Sequence, residues 1–156
     1  MFEFDSGDCP ANWTFINAAC YKILIGDLSW FEAKTQCEMM DGHLVDFESE
    51  EEHEAVLEEA LKTDGIAGKS VGLWIGMEDS REEGTWTWTS GKPVTYTAWS
   101  SGEPNNAGVD GGAENCAWMY AYQPSAYGRS PGQWNDGRCH SGADTGAICK
   151  RAAGAN

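Results

Sequence analysis

Between residues 103 and 136 the chain gathers oxygen donors: Glu103, Asn105, Asn106, Asp110, Glu114, Asn115, Asn135 and Asp136. Carboxylates mixed with amide carbonyls suit a hard cation such as calcium, which takes roughly six to eight oxygens. Almost no basic residue stands among them, and Trp99 and Trp134 flank the set as candidate braces for the loops. Asn and Asp also recur in loops because they make turns, so composition alone leaves a metal site and ordinary turn chemistry both open.

The other reactive residue types point to less. Glu50, Glu51 and Glu52 read as a solvated helix face, with His53 as a surface residue on it. His43 and His140 read as structural; His140 follows Cys139 but lacks the further ligands a zinc ion needs. No Ser-His-Asp or Cys-His set is visible. Glu103 and Glu114 form a carboxylate pair of the kind glycoside hydrolysis uses. If both ligate a cation, neither holds a proton near neutral pH, so the chain is expected not to be an enzyme.

Several elements must position these donors. Residues 9–25 read as a hairpin, with Cys9 and Cys20 near enough in sequence to staple it. Ser29 followed by Glu32 is a capping box, opening a helix to about Met40 that Asp41-Gly42 stops. Trp30, Ala33, Lys34 and Cys37 share one face of it, and His43–Phe47 then alternates like a short strand. Ser49 and Glu52 form a second capping box, with acids in a first turn where the helix dipole favours them. Ala55, Val56, Leu57, Ala60 and Leu61 supply the apolar stripe of that helix through about Lys62. Val71–Met77 reads as a buried strand and Thr85–Thr89 as a half-exposed one. Cys116–Tyr120 and Gly146–Cys149 read as core strands, with Trp74, Trp88 and Trp118 in the core. Turn-rich stretches at 91–112 and 121–133 are long enough to be functional loops.

The bulk properties narrow the partners. The 156 residues suit one domain, expected over 1–156 with flexible tails at 1–8 and 151–156. With 25 acidic and 10 basic residues the net charge is −15, which repels phosphate backbones and anionic membranes. No apolar run approaches the roughly 18 residues of a membrane span. The six cysteines lack a C-x-x-C pair, which favours disulfides and an oxidising compartment; spacing alone does not choose their pairing. Met1–Asp5 shows no basic leader and reads as the start of a mature chain. Asn12-Trp13-Thr14 is a glycosylation sequon.

Taken in order, these residues resemble the C-type lectin domain from Cys9 to Cys149. Trp74-Ile75-Gly76-Met77 is similar to that family's central core strand, and Glu103-Pro104-Asn105 to its sugar-specificity triplet. Glu114 stands two residues before Cys116, as the family's next calcium ligand does. Trp134-Asn135-Asp136 followed by Cys139 resembles its last ligand pair. The resemblance implies an α+β fold: two helices packed on small antiparallel sheets, a long calcium-binding loop region and three disulfides. It pairs Cys37 with Cys149, Cys116 with Cys139 and, in the long form of the domain, Cys9 with Cys20. Each bridge contributes roughly 2–4 kcal/mol. It also implies a cis peptide before Pro104.

The function implied is calcium-dependent carbohydrate binding. Glu103, Asn105, Glu114, Asn135 and Asp136 would hold the cofactor, Ca2+, and the sugar together. A second calcium is expected at Asp79, Glu83, Asn106 and Glu114. In this family the Glu-Pro-Asn order goes with mannose-type sugars. A galactose specificity is the alternative, with Trp86, Tyr122 or Tyr127 as candidates to stack on the ring. Further alternatives are protein- or ice-binding modules on the same fold. The expected protein is secreted and extracellular, and one shallow site makes a homo-oligomer the expected form. Its partners would be glycans on microbial or cell surfaces, in innate immunity or cell agglutination, without nucleic acid or membrane insertion.

Overall fold

The computed structural model describes residues 9–66, 71–106, 114–121, 131–140 and 145–154. Strands β1 (Thr14–Ile16) and β2 (Ala19–Leu24) form the expected hairpin. Helix α1 (Trp30–Met39) and the short β3 (His43–Leu44) follow, then helix α2 (Glu50–Lys62). Strands β4 (Val71–Glu78), β5 (Thr87–Trp88), β6 (Cys116–Ala121), β7 (Trp134–Gly137) and β8 (Thr145–Ala152) complete the described elements.

These strands join in the order β1-β2-β8-β4-β6-β7, with β3 on β8 and β5 on β4. The expectation of small antiparallel sheets needs correction: β4 and β8 run parallel, so the sheet is mixed. The crossover from β4 back to β8 passes through β5, β6, β7 and their loops, which collects the donor-bearing segments at one end of the sheet. Strand β8 also runs two residues past Lys150: Arg151 pairs with Cys20 and Ala152 with Ala19, inside the stretch expected to be a flexible tail. Residues 1–8, 155 and 156 of the expected tails lie outside the described residues.

Local sequence explains both helices. The Ser29 hydroxyl accepts from Glu32 N–H at 3.1 Å and Glu32 accepts from Ser29 N–H at 2.9 Å, closing the capping box. Ser29→Ala is therefore expected to cost about 1 kcal/mol, measurable as a small drop in the denaturation midpoint. Trp30, Ala33 and Cys37 are buried, and Trp30 Nε1 donates to Ile75 O while Trp74 Nε1 donates to Leu28 O. These two indole bonds pin the start of α1 to β4. The helix stops where Asp41 takes a positive φ of 63°. The next residue, Gly42, is needed for a different reason: a Cβ there would stand 2.7 Å from Lys150 O.

At α2 the second box is only half made. The Ser49 hydroxyl accepts from Glu52 N–H, but Glu52 turns its own carboxylate to Glu48 N–H and into the protein. The reading of this acidic run as a solvated face is thus corrected at Glu52, which is buried. His53 is corrected too: it is not a surface residue but only 6% exposed, on the same inward stripe as Val56 and Ala60. The strand expected over Thr85–Thr89 is two residues long, though Trp88 is buried between exposed Thr87 and partly exposed Thr89. Likewise β3 stops at Leu44, and Val45 and Phe47 continue as buried core residues without strand structure.

The disulfides join Cys9 to Cys20, Cys37 to Cys149 and Cys116 to Cys139, the pairing that the resemblance implies. The main core packs Phe47, Val56, Leu73, Ile75, Met119, Trp134 and Ile148 between α2 and the sheet. A second cluster beneath α1 contains Trp30, Leu44, Trp74 and all of Cys37, Cys116, Cys139 and Cys149.

Candidate functional site

The oxygen donors are brought together by backbone pairing at the β7 edge. Trp134 N–H donates to Ala98 O and Ser100 N–H donates to Trp134 O, both at 2.8 Å. Residues 98–100 therefore lie along the first residue of β7, in a parallel bridge between Trp99 and Trp134. The two indoles meet edge to face with centroids 5.8 Å apart, so they brace the loop as their flanking positions suggested. Glu103 N–H then donates to Ser100 O, and the Glu103-Pro104 peptide is cis.

Asp136 closes the arrangement. Its carboxylate is 1% exposed, and it accepts from Asn105 N–H at 3.1 Å through Oδ1 and from Asn106 N–H at 2.6 Å through Oδ2. Two backbone donors on one carboxylate hold the turn after Pro104 against β7. The Asn105 amide donates to Glu103 Oε2 at 3.3 Å, which places the acid and the amide of the triplet side by side. Asn106, in a left-handed conformation with φ of 53°, accepts from Glu114 N–H at 2.8 Å. Glu103, Asn105, Asp136, Asn106 and Glu114 thus form one connected chain of contacts. Asn135 stands beside Asp136 in β7, and its amide donates to Tyr120 Oη at 2.9 Å.

The second group of acids lies next to the first. Asp79 is buried, its N–H donates to Asn115 O, and its Oδ2 accepts from Gly84 N–H. Glu83 lies on the same turn, and its carboxyl is pushed above the usual range by partial desolvation and by the nearby carboxylates of Asp79 and Asp136. Asp79 Oδ1 and Asn115 Oδ1 are buried and accept no hydrogen bond among the described residues. Buried oxygens without donors, beside carboxylates that repel one another, are relieved by a cation. On this observation the donor set fits calcium, an ion that takes carboxylate and amide oxygens without fixed geometry. Asp110, Tyr122 and Tyr127 lie outside the described residues.

Some supporting residues were not singled out from sequence. Tyr120 read only as a core strand residue, yet its hydroxyl orients Asn135; nothing local in the sequence marks that contact. His53 and Tyr96 bond to each other behind Trp134. For His53 the signal was present, since it lies three and seven residues before Val56 and Ala60. Trp86, considered as a sugar platform, packs edge to face on Trp99 at 4.9 Å and is half-buried.

Known proteins share this fold and much of its sequence. The profile of the Lectin C-type domain matches residues 26–151. The mouse low affinity immunoglobulin epsilon Fc receptor is 34% identical over 145 residues, 93% of this chain and 38% of the receptor. The C-type lectin domain family 4 member M of Hylobates lar is 33% identical over 146 residues, 92% of this chain and 31% of that protein. The chain thus spans between 31% and 38% of the length of these relatives. Among solved structures, the cow C-type carbohydrate-recognition domain of CD23, in the presence of GlcNAc2Man3 oligosaccharide, superposes with a TM-score of 0.77 at 32% identity, covering 94% of this chain and 98% of that one. A calcium-independent type II antifreeze protein superposes at 0.72 with 28% identity, covering 93% and 95%.

Proposed function

This chain belongs to the C-type lectin domain family, and from that membership we propose that it binds carbohydrate in a calcium-dependent way, with preference for mannose-type sugars. The observation that carries the reading is the continuous contact chain from Glu103 through Asn105, Asp136 and Asn106 to Glu114. Three of its four bonds are donated by backbone N–H groups, those of Asn105, Asn106 and Glu114, and the fourth joins the side chains of Asn105 and Glu103.

Glu103, Asn105, Glu114, Asn135 and Asp136 would hold the ion, which when bound takes up two neighbouring sugar hydroxyls as further ligands. Each such hydroxyl keeps one proton and one lone pair to satisfy. The carboxylates of Glu103 and Glu114 accept the protons. The amides of Asn105 and Asn135 donate to the lone pairs. Asp136 fixes the turn, and Asp79, Glu83, Asn106 and Glu114 would hold a second ion beside it. This is binding without turnover, since both glutamates are committed to the ion and neither stores a proton for acid catalysis.

The triplet order sets the mannose preference. Exchanging Glu103→Gln together with Asn105→Asp reverses which side of the pair donates and which accepts. Mannoside affinity is expected to fall at least about tenfold, ~1.4 kcal/mol, with the circular dichroism spectrum unchanged. Unaltered mannoside affinity in a glycan-binding assay would place the sugar elsewhere. The three disulfides support the reading of a secreted, extracellular protein, since such bonds persist in oxidising compartments. Assembly into a homo-oligomer supplies the avidity that one shallow site lacks on repeated surface glycans.

The likeness to an antifreeze protein favours one second reading, an ice-binding module. Thermal hysteresis in the absence of sugar affinity would select it over the lectin.

A further inference from the structure

We infer that His53 is a positioning residue for the proposed ion and sugar site: its neutral ring ties Tyr96 and Gly132, on the two segments that lead to Glu103 and Asn135, to helix α2, and its protonation loosens both. The inference rests on the proposed calcium-dependent sugar binding for its functional consequence, but its structural part stands on its own.

The hydrogen bonds fix the tautomer. His53 Nε2 lies 2.7 Å from Gly132 O, a carbonyl that can only accept, so Nε2 carries the proton. Nδ1 lies 2.7 Å from Tyr96 Oη and, in the neutral ring, accepts the tyrosine proton. One imidazole thus donates to one segment and accepts from the other. Gly132 N–H in turn donates to Tyr120 O, and Tyr120 Oη receives the Asn135 amide. Tyr96 is followed by Ala98 and Ser100, which bracket Trp134 in the backbone. Both ligand-bearing limbs are therefore two or three contacts from this ring. Gly132 fits so closely that a Cβ would stand 2.8 Å from Leu57 Cδ2 and 3.3 Å from His53 Nε2.

The surroundings favour the neutral form. His53 packs on Phe47 with centroids 4.9 Å apart and on Trp134 at 5.8 Å. Its titratable neighbours are Glu50 and Glu52 on its own helix and Tyr96 on the facing segment; Phe47, Gly132 and Trp134 bring no charge. Glu52 is already bonded to Lys150 and Tyr21. Burial outweighs the Gly132 bond and the two glutamates, and holds the His53 pKa below its ordinary 6.5. A second ring proton would point at the Tyr96 hydroxyl and force it to turn its own proton away. Because the folded value is depressed, the unfolded chain takes up the proton first. The stability that His53 contributes is complete above 6.5 and is lost as pH falls from there toward the depressed value.

The test combines two readouts on the same chain. The ring nitrogens of His53 and the backbone amides of Ser100 and Asn135 are followed by NMR between about pH 7.5 and 5, without ligand. Calcium and methyl mannoside affinities are then measured at both ends for the wild type and His53→Gln, whose amide can donate to Gly132 and accept from Tyr96 but cannot titrate. The amides are expected to move with the midpoint of the His53 ring. Acidification is expected to weaken the wild type about fivefold more than the variant. Amides that ignore the ring's titration, or identical pH profiles for the two proteins, would overturn the inference. Should neither protein bind calcium or mannoside near neutral pH, the functional reading fails, and the wild-type amide titration still decides whether the ring holds the two segments.

Discussion

Asp136→Ala is expected to lower calcium affinity on the order of 100-fold and to abolish mannoside binding with it. The carboxylate does two jobs in this account. It accepts the N–H groups of Asn105 and Asn106, and it is also a proposed ligand of the ion. A hydrogen bond to a charged acceptor is worth roughly 1.5–3 kcal/mol, and two are lost together. The turn after Pro104 would then no longer be tied to β7, and the triplet would lose its fixed relation to Asn135. Asp136→Asn is expected to do nearly as much harm, because its amide nitrogen would face a backbone N–H with donor against donor. Isothermal titration with calcium, then with methyl mannoside, measures both effects. Affinities within about twofold of wild type would show that Asp136 is a structural acid and not part of an ion site.

The largest loss of stability is expected from Lys150→Met, about 3–5 kcal/mol at neutral pH. Lys150 is buried in β8, and its Nζ lies 2.7 Å from both Asp46 Oδ1 and Glu52 Oε2 and 3.3 Å from Asp46 O. Tyr21 donates to the same Glu52 oxygen. Burial raises the Asp46 carboxyl, but its bonds to Lys150 and Ser90 outweigh that and hold it below the usual range. Burial likewise works against the ammonium, yet Asp46 and Glu52 keep the Lys150 pKa above its ordinary value. Asp46's contribution is present above 3.8 and is lost as pH falls through its depressed value. Lys150's contribution is present below 10.5 and is lost as pH rises through its raised value. Removing the cation leaves two buried carboxylates facing each other. The cost should therefore shrink in acid, where they take up protons. A melting temperature lower by roughly 10 °C at neutral pH is the expected reading. Replacing the cluster together, as Asp46→Asn, Glu52→Gln and Lys150→Met, should recover much of the loss, because no charge is then left unpaired. A single variant as stable as wild type would show the cluster to be incidental.

What could be read from sequence was mostly local. Ser29 with Glu32, and Trp30 with Ala33 and Cys37, announce a capped helix and its inward face within ten residues. The order of the donors along the chain, framed by cysteines, carried the family likeness, and with it the disulfide pairing. Composition alone left turn chemistry and an ion site equally open. At Glu52 and His53 the sequence misleads because polarity does not decide exposure. Glu52 and His53 are polar, but helical spacing puts them on the stripe of Val56 and Ala60. Their partners Lys150, Gly132 and Tyr96 lie between 43 and 98 residues away, so no window of sequence shows that they are satisfied. The parallel pairing of β4 with β8 was missed for the same reason, since strand patterns carry no record of which distant strand they meet.

A crystal grown with calcium and methyl mannoside tests the central claim most directly. The account predicts one ion held by Glu103, Asn105, Glu114, Asn135 and Asp136, its shell completed by two adjacent hydroxyls of the sugar. A mannoside bound without touching a metal, or those five side chains holding no ion in excess calcium, would contradict it.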